Sequence, residues 1–555
     1  MPFGKLLLKQ GRGWAALSAA AALLVITPII ALAFVAVDAP AGGQSIWPHL
    51  MAFVLPQAIT DTALLLAGVG VLTMIIGTSA AWLVCAYDFP GRKVLDWALL
   101  LPLAVPTYIV AYAYLDLLHP VGPVQTVLRA VLGIENPQDL RLPDIRSMTG
   151  CIVLLGFVLY PYVYLTARAL FLMQTASLIE AARTLGAAPS HVFFKVVLPL
   201  ARPAIAIGLS LSLMEALNDI GASEFLGVRT MTVAVYTAWV TRSDLVGAAQ
   251  IALCTLLLVV ALVMLERWSR RHLNYAGTAQ RPRRMSARRL TGLSAWMALA
   301  TGLLPALIGF IIPAAYLGAA ATDRLSTNGF PRAIGQATLN TILVSSAAAI
   351  ITVLIGLGIA YFMRLVPAAR GIGRVASLGY AVPGTVLAIG LLAPMAAIDL
   401  FIHNLAGSVF GITTGLVVMG SGAALIYAYT ARFLAISIGS IEAGFNQLSP
   451  SLDHAPRTLG QTPTGVLKRV HLPLLRPALG TAAILVFVDC MKELPATLLL
   501  RPLNFETLAT VLYGEAARGT YEDGAIAALM IVLAGIIPVI VLARMSRFSQ
   551  ADHAA

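Results

Sequence analysis

Charge is scarce in this chain: of 555 residues, 11% are Asp, Glu, Lys or Arg, against 59% hydrophobic. That balance excludes an ordinary soluble domain, where about a quarter of residues are charged. Lysine is scarcer still. Six are present and none is followed by Ser or Thr, so the Gly-Lys-Ser/Thr core of a P-loop is missing and the chain is no ATPase of that type. The four cysteines, Cys85, Cys151, Cys254 and Cys490, each fall within or at the end of a different apolar stretch. With no CxxC pair and no Cys/His cluster, neither a zinc site nor a disulfide framework is supported, and they read as small buried hydrophobes. His119 and His403 have no second ligand nearby in sequence and read as surface residues. No nucleophile–base constellation supports an enzyme, and no metal site is firmly assigned.

What is present is apolar length. Twelve stretches can each cross about 30 Å of hydrocarbon as a helix: near 14–37, 57–87, 94–118, 148–172, 202–224, 246–265, 292–318, 336–363, 375–400, 412–433, 477–499 and 523–543. The first is too long for a signal peptide and is followed by no convincing small-residue cleavage site, so it reads as a retained helix. With the N-terminus inside, 27 of the 37 Lys and Arg collect on the inner side, which orients both termini toward the cytoplasm. The net charge of +12 mostly reflects that bias, and nucleic acid is not an expected partner.

The twelve stretches divide into two parallel sets of six. Gln57-Ala-Ile-Thr-Asp-Thr62 opens the second and Gln336-Ala-Thr-Leu-Asn-Thr341 the eighth. Ala104-Val-Pro106 answers Ala381-Val-Pro383, and Thr166-Ala-Arg168 answers Thr430-Ala-Arg432. Each set starts inside, so the repeats relate by an axis along the membrane normal. The division expected is a first half over 1–265, a basic cytoplasmic linker over 266–291 with eight arginines, and a second half over 292–555. The linker reads as a flexible tether; contact with anionic lipid headgroups is the alternative.

A polar segment also repeats, 274 residues apart: Glu180-Ala-Ala-Arg-Thr-Leu-Gly186, nine residues, Val196-Val-Leu-Pro199, and His454-Ala-Pro-Arg-Thr-Leu-Gly460, nine residues, Val470-His-Leu-Pro473. Each predicts a short amphipathic helix, a glycine break and a second stretch leading to the proline that starts the next span. Such an elbow, projecting into the cytoplasm, can transmit force if a partner grips it. A simple interfacial connection is the alternative, and two copies with identical Gly-to-Pro spacing weigh against it.

The segment resembles the coupling loop of ABC importer permeases, Glu-Ala-Ala, three residues, Gly, nine residues, an aliphatic, one residue, Leu-Pro. The first copy matches at Glu180, Ala181, Ala182, Gly186, Val196, Leu198 and Pro199. The second keeps Ala455, Gly460, Val470, Leu472 and Pro473 but has His454 for Glu and Pro456 for Ala, with Asp453 one position early. Across the chain, Leu101-Pro-Leu-Ala-Val-Pro106, Tyr160-Pro-Tyr-Val-Tyr164, Ala381-Val-Pro-Gly-Thr385 and Met491-Lys-Glu-Leu-Pro-Ala-Thr-Leu-Leu-Leu-Arg-Pro-Leu-Asn-Phe505 resemble the fused double permeases of ferric iron uptake. The resemblance implies an all-α, twelve-span bacterial inner-membrane permease of the type I ABC importer fold. It also implies two ATPase subunits that carry ATP and magnesium, a periplasmic binding protein, and no cofactor on this chain. Thiamine or an organophosphonate on the same architecture is a rival. A secondary transporter is another, since it also uses parallel six-span repeats but needs no paired coupling segments.

The register between the elbows aligns Glu215 with Asp489 and Asp219 with Glu493. At i, i+4 each pair is expected on one helical face, roughly 24 and 30 Å beyond Pro199 at 1.5 Å per residue. A carboxylate at membrane depth costs about 2.5–3.5 kcal/mol, so these four are candidate pathway residues for a hard cation such as Fe³⁺. The alternative is that they pair with Lys492, Arg229 or Arg501 and hold helices together. Tyr160, Tyr162 and Tyr164 read as packing residues, and Glu224 as a possible contact for the binding protein.

Overall fold

The computed structural model describes residues 12–37, 47–136, 139–140, 142–173, 182, 184, 186–270 and 287–551. Among these, ten helices are long and apolar enough to cross a membrane, and up to twelve if each of two bent pairs is one span. The bent pairs are 92–104 with 107–117, turned by 92°, and 463–474 with 476–491, turned by 76°. The first bend falls at Val105–Pro106, where the proline disfavours helix in the residue before it.

Two compact units form, and neither is a sequence repeat. One gathers the residues to Leu50, Ala234–Leu256 and Phe330–Val511; the other gathers Met51–Val233, Leu257–Gly329 and from Leu512 onward. In the first unit, helix Arg12–Val37 packs on helices Gly384–Phe410 and Arg370–Ala376. In the second, helix Ile312–Asn328 packs on Tyr521–Ala551 and on Thr107–Leu117. Much of each repeat's first and last spans therefore packs on the four middle spans of the other repeat. The division at the linker is one of sequence. The linker's last residues are strapped down, with Arg288–Arg289 pairing in parallel with Tyr87–Asp88 and Leu290 N–H donating to Asp88 O.

Inside each unit the same contact recurs. Helix Leu55–Ala86 lies along Met148–Met173, and Arg332–Leu365 along Ala423–Asn446. Gly77 and Gly356, 279 residues apart like the Gln-Ala…Thr strings, sit at the two crossings. A Cβ on Gly77 would stand 2.7 Å from Val163 Cβ, and one on Gly356 would run into Ser437. Without a hydrophobic force between helices in lipid, such close backbone approach supplies the packing.

Candidate functional site

The two elbows close in the same way. Gly186 and Gly460 have φ of +80° and +81°, a conformation that costs an L-residue about 1–2 kcal/mol. The next residue donates back five positions, Ala187 N–H to Ala182 O and Gln461 N–H to Pro456 O, at 3.1 and 3.0 Å. This is a Schellman closure of a helix end. It uses the carbonyl of residue 456, which proline retains, so Pro456 in helix Ser451–Thr458 leaves the closure intact. Pro189 and Pro463 then open short helices, followed by one-turn π segments over Phe193–Val197 and Leu467–His471. Leu459, before the second glycine, is 82% exposed at the tip. His454 and Ala455 are exposed beside it, and Pro199 and Pro473 sit at the start of the outgoing helices. Glu180 and Ala181 lie outside the described residues.

The outgoing helices end sooner than the i, i+4 spacing predicts. Helix Leu198–Asn218 stops before Asp219, and Arg476–Met491 stops before Glu493. Only Glu215 and Asp489 lie on helix; the one-face arrangement of each pair does not form. The reason is that each second acid closes a new helix start. Asp219 accepts from Ala222 N–H, Ser223 N–H and Ser223 Oγ at 3.4, 2.7 and 2.9 Å, ahead of helix Gly221–Phe225. Glu493 accepts from Ala496 N–H, Thr497 N–H and Thr497 Oγ1 at 3.1, 3.1 and 2.9 Å, ahead of Pro495–Leu500. Free N–H groups at a helix start require such acceptors.

The remaining partners differ. Asp219 takes the Thr107 hydroxyl at 2.6 Å, while Glu493 takes the Arg432 guanidinium at 3.1 Å. Arg168, in the triplet that matches Arg432, binds Asp96 through Nε and Nη2 at 2.5 and 2.6 Å, with Tyr164 Oη donating to the same carboxylate. Tyr164 and Tyr160 are fully buried. Asp489 pairs with Lys492 at 2.7 Å, half-exposed, and Glu215 is half-buried. Of the other two cations, Arg501 pairs with Glu506 and Arg229 reaches Gln57.

Asp399, Thr62 and Thr341 were not singled out as site residues by sequence. Asp399, buried, accepts three backbone N–H groups from residues 417–419 at 2.7–2.9 Å; nothing in its surroundings in sequence signals this. Thr62 Oγ1 accepts from Met231 N–H at 3.0 Å, and Thr341 Oγ1 from Leu508 N–H at 2.9 Å. The signal for this pair was the repeated Gln-Ala…Thr string itself. Glu224 accepts from Tyr513 Oη at 2.6 Å. Among the described residues, no group of three or more His, Cys, Asp or Glu is placed to hold a metal ion.

Residues 73–275 match the family described as binding-protein-dependent transport system inner membrane component. The Fe(3+)-transport system permease protein FbpB 2 of Haemophilus influenzae is 24% identical over 501 residues, 88% of this chain and 90% of that protein. The molybdenum transport system permease protein ModB of Escherichia coli K12 is 28% identical over 227 residues, 93% of its own length but 40% of this chain. A putative 2-aminoethylphosphonate transport system permease protein, PhnU, of Salmonella choleraesuis is 28% identical over 197 residues, 35% of this chain and 68% of that protein.

Proposed function

We infer that this chain, an inner-membrane permease component of a binding-protein-dependent transport system, carries ferric iron inward. It is a non-catalytic subunit; ATP hydrolysis belongs to a separate ATPase, and a binding protein delivers the cargo. The observation that carries the iron reading is the likeness to a permease named for Fe(3+) transport over nine-tenths of both lengths. The half-buried acid Glu215, on the helix after the first elbow, supports a cation. The two matched elbows, with Gly186 and Gly460 in the same left-handed conformation, fit two ATPase copies bound on the inner side. The cytoplasm then faces both termini, as the arginine bias requires.

The pathway role falls to Glu215, because Asp219 and Glu493 spend their lone pairs on helix starts and Asp489 pairs with Lys492, as the structural alternative expects. An oxyanion cargo is the second reading, favoured by half-length relatives named for molybdenum and 2-aminoethylphosphonate. The experiment is ATP-driven uptake by vesicles holding permease, ATPase and binding protein, offered Fe³⁺, thiamine, molybdate or 2-aminoethylphosphonate. Uptake of Fe³⁺ alone, lost in Glu215→Gln, supports the reading; uptake of an oxyanion instead rejects it. Uptake without ATP would make the protein a secondary transporter.

A further inference from the structure

The second elbow is held by a polar cluster that the first half replaces residue by residue. Arg364, near the end of helix Arg332–Leu365, meets Asp453 of the coupling helix in a two-oxygen contact, with Nε 3.1 and 3.0 Å from Oδ1 and Oδ2 and Nη2 2.8 Å from Oδ2. The same guanidinium donates to Phe445 O at 2.5 Å and Leu448 O at 3.2 Å, and lies 5.3 Å from the Phe445 ring centre. His471, fully buried in the π segment, places Nε2 3.0 Å from Asp453 Oδ1 and stands edge-on to Phe445 and Tyr361. Tyr361 Oη donates to Pro463 O at 2.6 Å. Five pieces of chain thus converge: the spanning helix, the end of helix Ala423–Asn446, the coupling helix, its exit helix and the π segment.

In the first half the register puts Trp82 opposite Tyr361, Cys85 opposite Arg364, Ile179 opposite Asp453 and Val197 opposite His471. All three members of the polar cluster are apolar there. Trp82 instead packs on Phe171 and Phe193, at 5.7 and 5.2 Å between ring centres. An aromatic contact resists separation but allows sliding. A fork-shaped guanidinium on two carboxylate oxygens fixes direction as well.

We propose that Arg364, Asp453 and His471 are positioning residues for coupling: a clamp that fixes the angle of the second elbow on helix 332–365. This inference rests on the elbow being a docking site for the ATPase. Through the clamp the second elbow moves with its spanning helix as one lever. The loss of Glu at His454 then does not weaken the second half, because the carboxylate one position earlier anchors the elbow from its membrane side.

The test uses the whole complex of permease, ATPase and binding protein, with spin labels at Ser451→Cys, at the start of the coupling helix and away from its tip, and Arg370→Cys, both exposed positions. The expected distance distribution is narrow. It broadens in Arg364→Met and in Asp453→Asn, binding-protein stimulation of ATP hydrolysis falls on the order of tenfold, the scale of a lost coupling between sites, and the swap Arg364→Asp with Asp453→Arg restores both. An unchanged distribution in the single variants overturns the clamp. The triple variant Arg364→Cys, Asp453→Ile, His471→Val guards against misfolding, since removing all partners leaves no orphaned charge; a narrow distribution there also overturns it. Leu459→Asp separates the two readings. If it leaves stimulated hydrolysis intact, the docking reading fails. If it abolishes stimulation while clamp variants keep theirs, the clamp alone is wrong.

Discussion

Arg168 and Arg432 end the same Thr-Ala-Arg triplet, yet they take their carboxylates from different places. Arg168 uses Asp96, on the short helix before the bend, and Arg432 uses Glu493, on the turn after the outgoing helix. Counting back from the Ala-Val-Pro triplets, the position matching Asp96 is Gly373, so the second half has no acid there. The position matching Gly384 is Thr107, whose hydroxyl satisfies Asp219 once no arginine reaches it. The halves keep the demand, a guanidinium at this depth with a counterion, and exchange the supplier. The exchange in this buried polar network is therefore concerted: around the shared arginine three matched positions differ together, Asp96 with Gly373, Thr107 with Gly384 and Asp219 with Glu493, and losing an arginine's carboxylate alone would leave a charge unpaired.

The largest effect expected is at the more buried pair. Arg432 and Glu493 side chains are 9% and 2% exposed, and removing one partner of such a pair costs about 3–5 kcal/mol. Glu493→Gln should therefore lower the denaturation midpoint of the purified protein far more than Asp96→Asn. Asp96 is 29% exposed, and its loss should cost roughly 1.5–3 kcal/mol, the scale of hydrogen bonds to a charged group. Equal losses in thermal unfolding would break the contrast. The next effect tests the concerted exchange. Gly384→Thr puts a side chain into the Arg432 guanidinium and the Glu493 carboxylate and should block folding, as judged by detergent-stable yield. The reverse change, Thr107→Gly, loses one hydrogen bond and should cost about 1–3 kcal/mol for the acid left short of a donor.

How far this was readable follows from the kind of contact. The repeat register was legible because it lies in the order of residues, and it located the two elbow glycines and the four acids. A glycine, nine intervening residues, then the aliphatic and Leu-Pro make a local pattern, and local hydrogen bonds carried it out. The acid spacing misled because i, i+4 has two readings. On a continuous helix it gives one face; where a helix ends it places an acid beside the N–H groups of the next turn. Asp219 with Ser223, and Glu493 with Thr497, are themselves i, i+4 and mark the second reading. The pairing of Arg168 with Asp96 spans 72 residues, and the packing of helix 12–37 on 384–410 spans far more. No local pattern states either.

The elbows should differ less than their sequences. A Cβ on Gly186 or Gly460 meets nothing within 4 Å, so alanine at either position is opposed by backbone conformation alone, about 1–2 kcal/mol. Gly186→Ala and Gly460→Ala are expected to reduce binding-protein-stimulated ATP hydrolysis to similar extents. A much larger loss at Gly186 would mean that Glu180 makes the first elbow dominant and that His454 has left the second a weak grip.

The smallest effect sharpens the comparison from the other side, where the halves agree. Thr62 and Thr341 each donate to the carbonyl four residues back, Ala58 O at 2.6 Å and Ala337 O at 2.7 Å, and each accepts one backbone N–H at a following helix start. Valine has the shape of threonine without the hydroxyl. Thr62→Val and Thr341→Val should each cost about 1–3 kcal/mol, the penalty for one buried N–H left without an acceptor. Because the two threonines lie in different compact units and share no partner, the double variant should lose the sum of the two. Unequal single losses in thermal unfolding would show that this device, too, has drifted. Equal losses would mark it as a fixed element around which the arginine counterions have exchanged.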